Sequence, residues 1–440
     1  MSPLSLAIAA VLLFALLEAP LFSVIGGLAM VCLYAADTDP QSLQVVIIEM
    51  NRLASMPVLM ALPPFTFVGM LLTESGAPRR IMNFMNAAAG WLPGGLAIAA
   101  LGACAFFTAL TGASGVTIVA LGSVLYPILR QQHYDERFTL GLLTAGGSLG
   151  LLFPPSLPII LYGVVAQVDI GQVFKAALVP GILLVAVLSV YAGLRQWHLL
   201  RSGATGSAPR SGGLSQPRAD KPAGELKRAF WEGKWDWPII VIILVGVYGG
   251  FVTIAEVSAL VVGYVLVVEC FILKEISFTR QLPKIIVEST ILSGAIIIIL
   301  AMSLALTGYL VDAQVPDKIM ETLTALTDNR YTFLAGLNLF LLVVGCMMDI
   351  FSAVVIVVPI MVPVALQYGI DPIHLCIIFL VNLEIGYSTP PVGINLFIAS
   401  MKFQKPVTLL YRASVPFLIL RLIFLMFITY VPALSLFWLP

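Results

Sequence analysis

Apolar stretches of about 20 residues, the length a helix needs to cross a hydrocarbon layer, follow one another along nearly the whole chain from Pro3 onward. Their pattern predicts membrane spans at 56–72, 139–167, 171–198, 237–253, 255–273, 285–310, 373–400 and 409–436. Two further apolar stretches, 94–130 and 330–367, are each long enough for two short helices but have small or polar centres. The first centre reads Thr111-Gly112-Ala113-Ser114-Gly115-Val116-Thr117 and the second Met348-Asp349-Ile350-Phe351-Ser352. Irregular backbone at membrane depth survives only where protein or water satisfies it, so each stretch predicts a re-entrant helical hairpin. The fold class is therefore an all-α polytopic membrane protein.

The N-terminal stretch has an apolar core like a signal peptide but no basic leading segment and no clear small-residue cleavage site. It is expected to stay as the first membrane segment. Residues 3–37 carry Glu18 and Pro20 at their middle, which leaves open one helix or two. The polar, Gly/Ser/Pro-rich stretch 201–234 holds Arg201, Arg210, Arg218, Lys221, Lys227, Arg228 and Lys234, and the positive-inside rule makes it cytoplasmic. Lys274 with Arg280 and Lys284, Arg130 with Arg137, and Lys402 with Lys405 mark further cytoplasmic loops.

Only 10% of the 440 residues are charged and 60% are hydrophobic, with a mean hydropathy of +1.03. A chain with so little polar surface is solvated by lipid throughout. Net charge is zero and no basic patch forms, which argues against a nucleic-acid partner. The five cysteines lie far apart without metal or redox spacing and read as small hydrophobes.

At a constant offset of 236 residues, Pro127 meets Pro363, Asp135 meets Asp371, Gly150 meets Gly386, Pro154-Pro155 meets Pro390-Pro391 and Pro180 meets Pro416. The hairpin centres fall in the same register, Ala113 on Asp349. This predicts an internal duplication. The predicted spans between the hairpins are odd in number, which inverts the second repeat, an architecture of secondary transporters with their site at the repeat interface. The chain divides into N-terminal membrane helices, mainly scaffold (1–90), a first repeat (91–198), a cytoplasmic loop (199–236), central scaffold and connecting helices (237–328) and a second repeat (329–440). Each repeat holds a hairpin (94–130; 330–367) and a broken helix (139–167; 373–400).

Adjacent prolines delete two backbone donors and disfavour helix at Phe153 and Thr389, so each helix opens there. The carbonyls set free suit a dehydrated monovalent cation such as Na⁺, and the half-helices starting near Ser156 and Val392 present N–H groups to an anion. A simple packing kink is the plainer reading of one such motif, and duplication beside a small-polar hairpin argues against it. Asp349 is an ionisable group at membrane depth. Ser114, Thr117, Ser352 and Asn395 either line a polar substrate cavity or bond neighbouring backbone. Glu384, before the second break, either pairs within the protein or takes part in coupling.

Four segments carry a family resemblance: LTGASGVTIVALGSVLYP (110–127), GSLGLLFPPSLPIILYG (147–163), GIDPIHLCIIFLVNLEIGYSTPPVGINLF (369–397) and WLPGGLA (91–97). With them the chain resembles the large membrane subunit of tripartite ATP-independent periplasmic (TRAP) transporters. The resemblance implies a sodium-coupled importer of the bacterial inner membrane with an elevator-type mechanism and no organic cofactor. It implies two protein partners, a small membrane subunit and a periplasmic substrate-binding protein that delivers an organic acid. Carried over by position, Na⁺ would meet Thr111, Gly115, Gly150, Phe153 and Pro155 at the first hairpin and break, and Gly345, Gly386, Thr389 and Val392 at the second. Many members have consecutive serines and an acidic residue at the first hairpin tip, where this chain has Ala113-Ser114-Gly115-Val116-Thr117. Substrate is expected to meet Ser114, Thr117, Ser156, Asp349, Ser352 and Asn395. The rivals are a proton-coupled or binding-protein-independent anion transporter of the same architecture and, more remotely, an intramembrane enzyme. No HExxH, Ser-His pairing or GxxxxGK[ST] loop supports an enzyme or an ATP-driven pump.

Overall fold

The computed structural model describes residues 20–37, 43–90, 92, 94–201, 223–249, 252–314, 318, 329–390 and 393–439, which are helical with no strand among them. The first group of helices is α1 (Leu21–Asp37), α2 (Gln44–Ala54), α3 (Leu62–Glu74, entered through a 3₁₀ turn at Pro57–Ala61) and α4 (Ala77–Ala89). Then come α5 (Gly95–Thr111), α6 (Ser114–Gln131), α7 (Glu136–Gly146), a 3₁₀ turn at Leu149–Leu152, α8 (Leu157–Ala166) and α9 (Ile170–Arg201). The middle of the chain forms α10 (Ala223–Glu232), α11 (Trp237–Gly249), α12 (Ile254–Leu266, running into a π-turn at Val267–Ile272) and α13 (Gln281–Asp312). The last group is α14 (Arg330–Met347), α15 (Ile350–Gln367), α16 (Pro372–Gly386), α17 (Ile394–Phe403), α18 (Val407–Tyr430) and α19 (Ala433–Leu436).

The duplication is visible in the helix ends. Adding 236 to Ser114 and Gln131 gives Ile350 and Gln367, the limits of α15, and adding it to the C-terminal end of α5 and the N-terminal end of α7 lands on Met347 and Pro372. Asp135 and Asp371 both cap the following helix, accepting from Phe138 N–H and from Ile373 and His374 N–H respectively. The contacts are reciprocal as well, since α6 packs on α17 while α15 packs on α8. Such an exchange is what a twofold axis between intertwined repeats produces. Around this bundle, α13 packs on α1, α2 and α3, and α12 on α3 and α11.

Both predicted hairpins and both broken helices are present. Residues 136–166 bend by 46° between Leu152 and Leu157. Six helices are long and apolar enough to cross a membrane, or up to eight with each bent pair taken as one span, among the described residues.

Three expectations need correction. The last span, drawn to 436, ends at Tyr430, because Pro432 has no N–H to continue it, and α19 is a separate turn. The stretch 199–236 is not loop throughout, since α9 runs to Arg201 and α10 occupies 223–232. The amphipathic helices α2 and α4 lie between the predicted spans and add to them, because their polar faces keep any apolar window short. Residues 1–19, with Pro3 and Glu18, lie outside the described residues; α1 starts directly after Pro20.

α4 is held by charge. Arg80 reaches Asp236 (Nε to Oδ2, 2.8 Å), Glu269 (2.8 Å) and Glu275 (2.6 Å), and Gly76 N–H also donates to Glu275 at 2.6 Å. Burial works against the charge of Arg80, but hydrogen bonds and charge from its carboxylates outweigh it and hold the guanidinium above its ordinary value.

Candidate functional site

Each hairpin tip lies against the break of its own repeat, and glycines make the approach possible. A Cβ on Gly150 would stand 2.2 Å from the Ala105 carbonyl oxygen and 2.3 Å from the Ala109 nitrogen. A Cβ on Gly386 would stand 2.4 Å from the carbonyl carbon of Gly345, the residue equivalent to Ala109. Gly112 turns the first tip in the left-handed region (φ 66°) and packs against Leu157, the first residue of α8. Gly393 (φ 59°) starts α17 and donates its N–H to the Cys346 carbonyl at 3.1 Å, tying the second break to the second tip.

The carbonyls divide into two sets. Gly150 O accepts from Phe153 N–H (3.0 Å), and Gly386 O accepts from Thr389 N–H (2.9 Å), the same 3₁₀ bond in both repeats. The carbonyls of Thr111, Phe153, Pro155 and Gly345 accept no hydrogen bond among the described residues. Oxygen atoms of this kind, three at the first tip and break and one beside the second tip, suit a dehydrated monovalent cation better than bulk lipid does. Thr389 Oγ1 donates to Ile385 O at 2.8 Å and keeps its lone pairs. Gly115 lies in the first turn of α6 against Ile398. Val392 and Pro391 lie outside the described residues.

The predicted substrate residues fall into three places. Ser114 Oγ donates to Asn395 Oδ1 at 2.7 Å, joining the first tip to α17 of the other repeat, and the Asn395 amide nitrogen is buried without a partner among the described residues. Ser156, at the start of α8, has a buried hydroxyl likewise without a partner. Asp349 and Ser352 are occupied with each other. Asp349 caps α15 by accepting from Ser352 N–H at 3.0 Å and from the Ser352 hydroxyl. Thr117 accepts from Thr108 Oγ1 at 2.8 Å inside the first hairpin. The start of α6 has no side-chain cap, whereas α15 is capped by Asp349, so the first tip offers its N–H groups more freely.

Three features of the site went unpredicted. Tyr387, at the second break, accepts from Ile350 N–H at the facing hairpin tip. Arg421 on α18 is fully buried and pairs with Glu384 at 3.2 Å, and Ser148 contacts both. The sequence signal for Arg421 is an arginine in the interior of an apolar run. A cavity of about 350 Å³ opens beside the first break between α5, α9 and α11, lined by Phe153, Pro154, Ala109, Leu178 and Ile243. Its wall is almost wholly apolar, which does not suit an anion.

The sequence pattern described as "Tripartite ATP-independent periplasmic transporter, DctM component" matches residues 6–434. The chain belongs to this family. Among its relatives, the C4-dicarboxylate TRAP transporter large permease protein DctM of Pseudomonas aeruginosa is 34% identical over 90% of each chain. The isethionate TRAP transporter permease protein DctMQ of Oleidesulfovibrio alaskensis is 34% identical over 97% of this chain, which spans 65% of that longer relative. The ectoine/5-hydroxyectoine TRAP transporter large permease protein UehC of Ruegeria pomeroyi is 30% identical over 86% of this chain and 85% of its own. The crystal structure of the Alcanivorax borkumensis YdaH transporter shares the fold at a TM-score of 0.65 and 13% identity, covering 97% of this chain and 98% of its own. This DctM component is thus a multi-pass membrane permease built from two repeats, each with a hairpin closing on a broken helix.

Proposed function

We propose that this DctM component carries a small organic anion across the bacterial inner membrane together with Na⁺. In this reading a periplasmic binding protein delivers the substrate and a small membrane subunit completes the scaffold. The observation that carries it is the duplicated pairing of hairpin tip and helix break. The carbonyls of Thr111, Phe153, Pro155 and Gly345 accept no hydrogen bond among the described residues and are open to a cation, while the uncapped start of α6 and the spare hydroxyl and amide of Ser156 and Asn395 suit an anion. The relatives are named for C4-dicarboxylates, isethionate and ectoine, all small molecules with a carboxylate or sulfonate.

Transport then proceeds by an elevator motion. The hairpins and broken helices form the moving bundle, and α1–α3 with α11–α13 form the scaffold against which it slides. Binding of Na⁺ satisfies the open carbonyls, which makes carrying the substrate across lipid favourable only when both are present.

A proton-coupled carrier is the competing reading, favoured by Glu384, a buried carboxylate within the bundle. The test is uptake of labelled C4-dicarboxylates, isethionate and ectoine into proteoliposomes holding this chain and its small subunit, with the cognate binding protein outside. The proposal expects uptake only with an inward sodium gradient and binding protein together. Uptake unchanged in choline-substituted buffer and driven by a pH gradient would select the proton-coupled carrier instead.

A further inference from the structure

Among the described residues Arg421 has the largest of the fully buried side chains, yet it is neither a predicted ion ligand nor a predicted substrate residue. Its surroundings identify its place. Ser148 and Glu384 are 236 residues apart, the repeat offset, and Ser148 Oγ lies 3.4 Å from Glu384 Oε1. Equivalent residues of two repeats can touch only at the axis relating them, so this contact marks the axis.

Arg421 enters that point from α18. Its Nη2 lies 3.2 Å from Glu384 Oε1, its Nη1 lies 3.5 Å from Ser148 Oγ, and Nη2 also donates to the Ala145 carbonyl. Ala145 is in the last turn of α7 and Glu384 in the last turn of α16, so two helices end here with their negative poles converging. A cation at this junction favours both ends at once. The position equivalent to Arg421 in the first repeat is Val185, so a single arginine serves both halves.

The arrangement is not one that stability alone would select. Glu384 Oε2 and Arg421 Nε are buried without a partner among the described residues. A buried ion pair with unused hydrogen-bonding capacity is commonly no more stabilising than apolar side chains of the same volume. What the pair does do is clamp the segment leading to Gly150 against the segment leading to Gly386, the two breaks where carbonyls are opened.

We propose that Arg421 and Glu384 are positioning residues that fix the two breaks relative to each other, so that Na⁺ at one break is felt at the other. This rests on the sodium reading above. Neither residue touches the ion. They act by holding α7 and α16 at one separation, which a sodium seat made of backbone carbonyls requires, because such carbonyls move only with their helices.

The test uses the purified full-length chain in detergent, with NaCl as the probe and choline chloride keeping ionic strength constant. Thermal unfolding is followed as sodium is raised. The paired variant Glu384→Gln with Arg421→Met removes both charges together and avoids leaving one buried alone. It should fold, with the sodium concentration for half the maximal shift raised about tenfold, within the usual range of coupling between sites, and with a shallower dependence than wild type. Arg421→Lys keeps the charge but loses the fork that reaches Ala145 and Ser148 together, and should fall between the two. A wild-type sodium midpoint and steepness in either folded variant would overturn the proposal. A wild-type chain that answers to NaCl no more than to choline chloride would instead overturn the sodium reading, and this inference with it.

Discussion

Replacing Gly386 by alanine should open the second hairpin away from its break. A Cβ there would lie 2.4 Å from the Gly345 carbonyl carbon, 2.6 Å from its Cα and 2.8 Å from Cys346 N, whereas ordinary contact begins at 3.4 Å. Both neighbours are backbone and cannot rotate aside, so α14 and α16 must separate by about 1 Å, the difference between 3.4 and 2.4 Å. The Gly393 N–H to Cys346 carbonyl bond, 3.1 Å long, lies on this seam and would be stretched beyond hydrogen-bonding range. Overpacking of this kind costs about 1–3 kcal/mol and the lost bond about 1 kcal/mol. Against that, alanine in place of glycine favours a helix by about 1 kcal/mol. The clash wins, with a net loss of about 1–3 kcal/mol. Gly263 supplies the control, because nothing lies within 4 Å of where a Cβ would stand at that position on α12. Thermal unfolding in detergent should show Gly386→Ala melting several degrees below wild type and Gly263→Ala at or slightly above it. A Gly386→Ala protein as stable as wild type would refute the close approach of tip and break.

Other expectations concern the charges and hydroxyls. Arg80→Gln leaves Asp236 and Glu269, both nearly inaccessible, without their cation, and should destabilise by about 3–5 kcal/mol in thermal unfolding; Arg228→Ala, at an exposed pair, should leave unfolding unchanged. Glu275 is pushed up by burial but held below its ordinary value of 4.5 by hydrogen bonds from Arg80 and Gly76 N–H. A depressed carboxylate adds stability above its ordinary value and loses it as pH falls through the depressed one, so hydrogen exchange along α4 should quicken only below pH 4.5. Asp236 is shifted the other way, raised by burial in spite of Arg80, and acts in the opposite sense over that range. Thr389→Val removes a bond to Ile385 O at a cost of about 1 kcal/mol, and in the proposed mechanism it weakens the sodium response of the melt more than it lowers the melting temperature.

Much of the bundle was legible in the sequence because its information is local. Paired prolines dictate a break wherever they fall, and a hairpin centre such as Thr111–Thr117 shows itself by interrupting an apolar run. The offset of 236 even places helix ends to the residue, since Asp135 and Asp371 cap their helices by the same local hydrogen bonds. What escaped was set by distant partners. Whether Glu384 pairs internally depends on Arg421 on another helix, and Asp349 looked like a group facing a ligand although it caps its own helix through Ser352. The helix α4 was missed because its polar face keeps its apolar window short, and the three carboxylates that hold its Arg80 lie more than 150 positions away.

The central claim, that substrate and sodium move together, is tested most directly by ²²Na⁺ entry into proteoliposomes carrying the DctM component and its small subunit. The account predicts sodium entry that appears when substrate-loaded binding protein is added and stops when the protein is supplied empty. Sodium entry that is the same with loaded and empty binding protein, while substrate still accumulates inside, would contradict it.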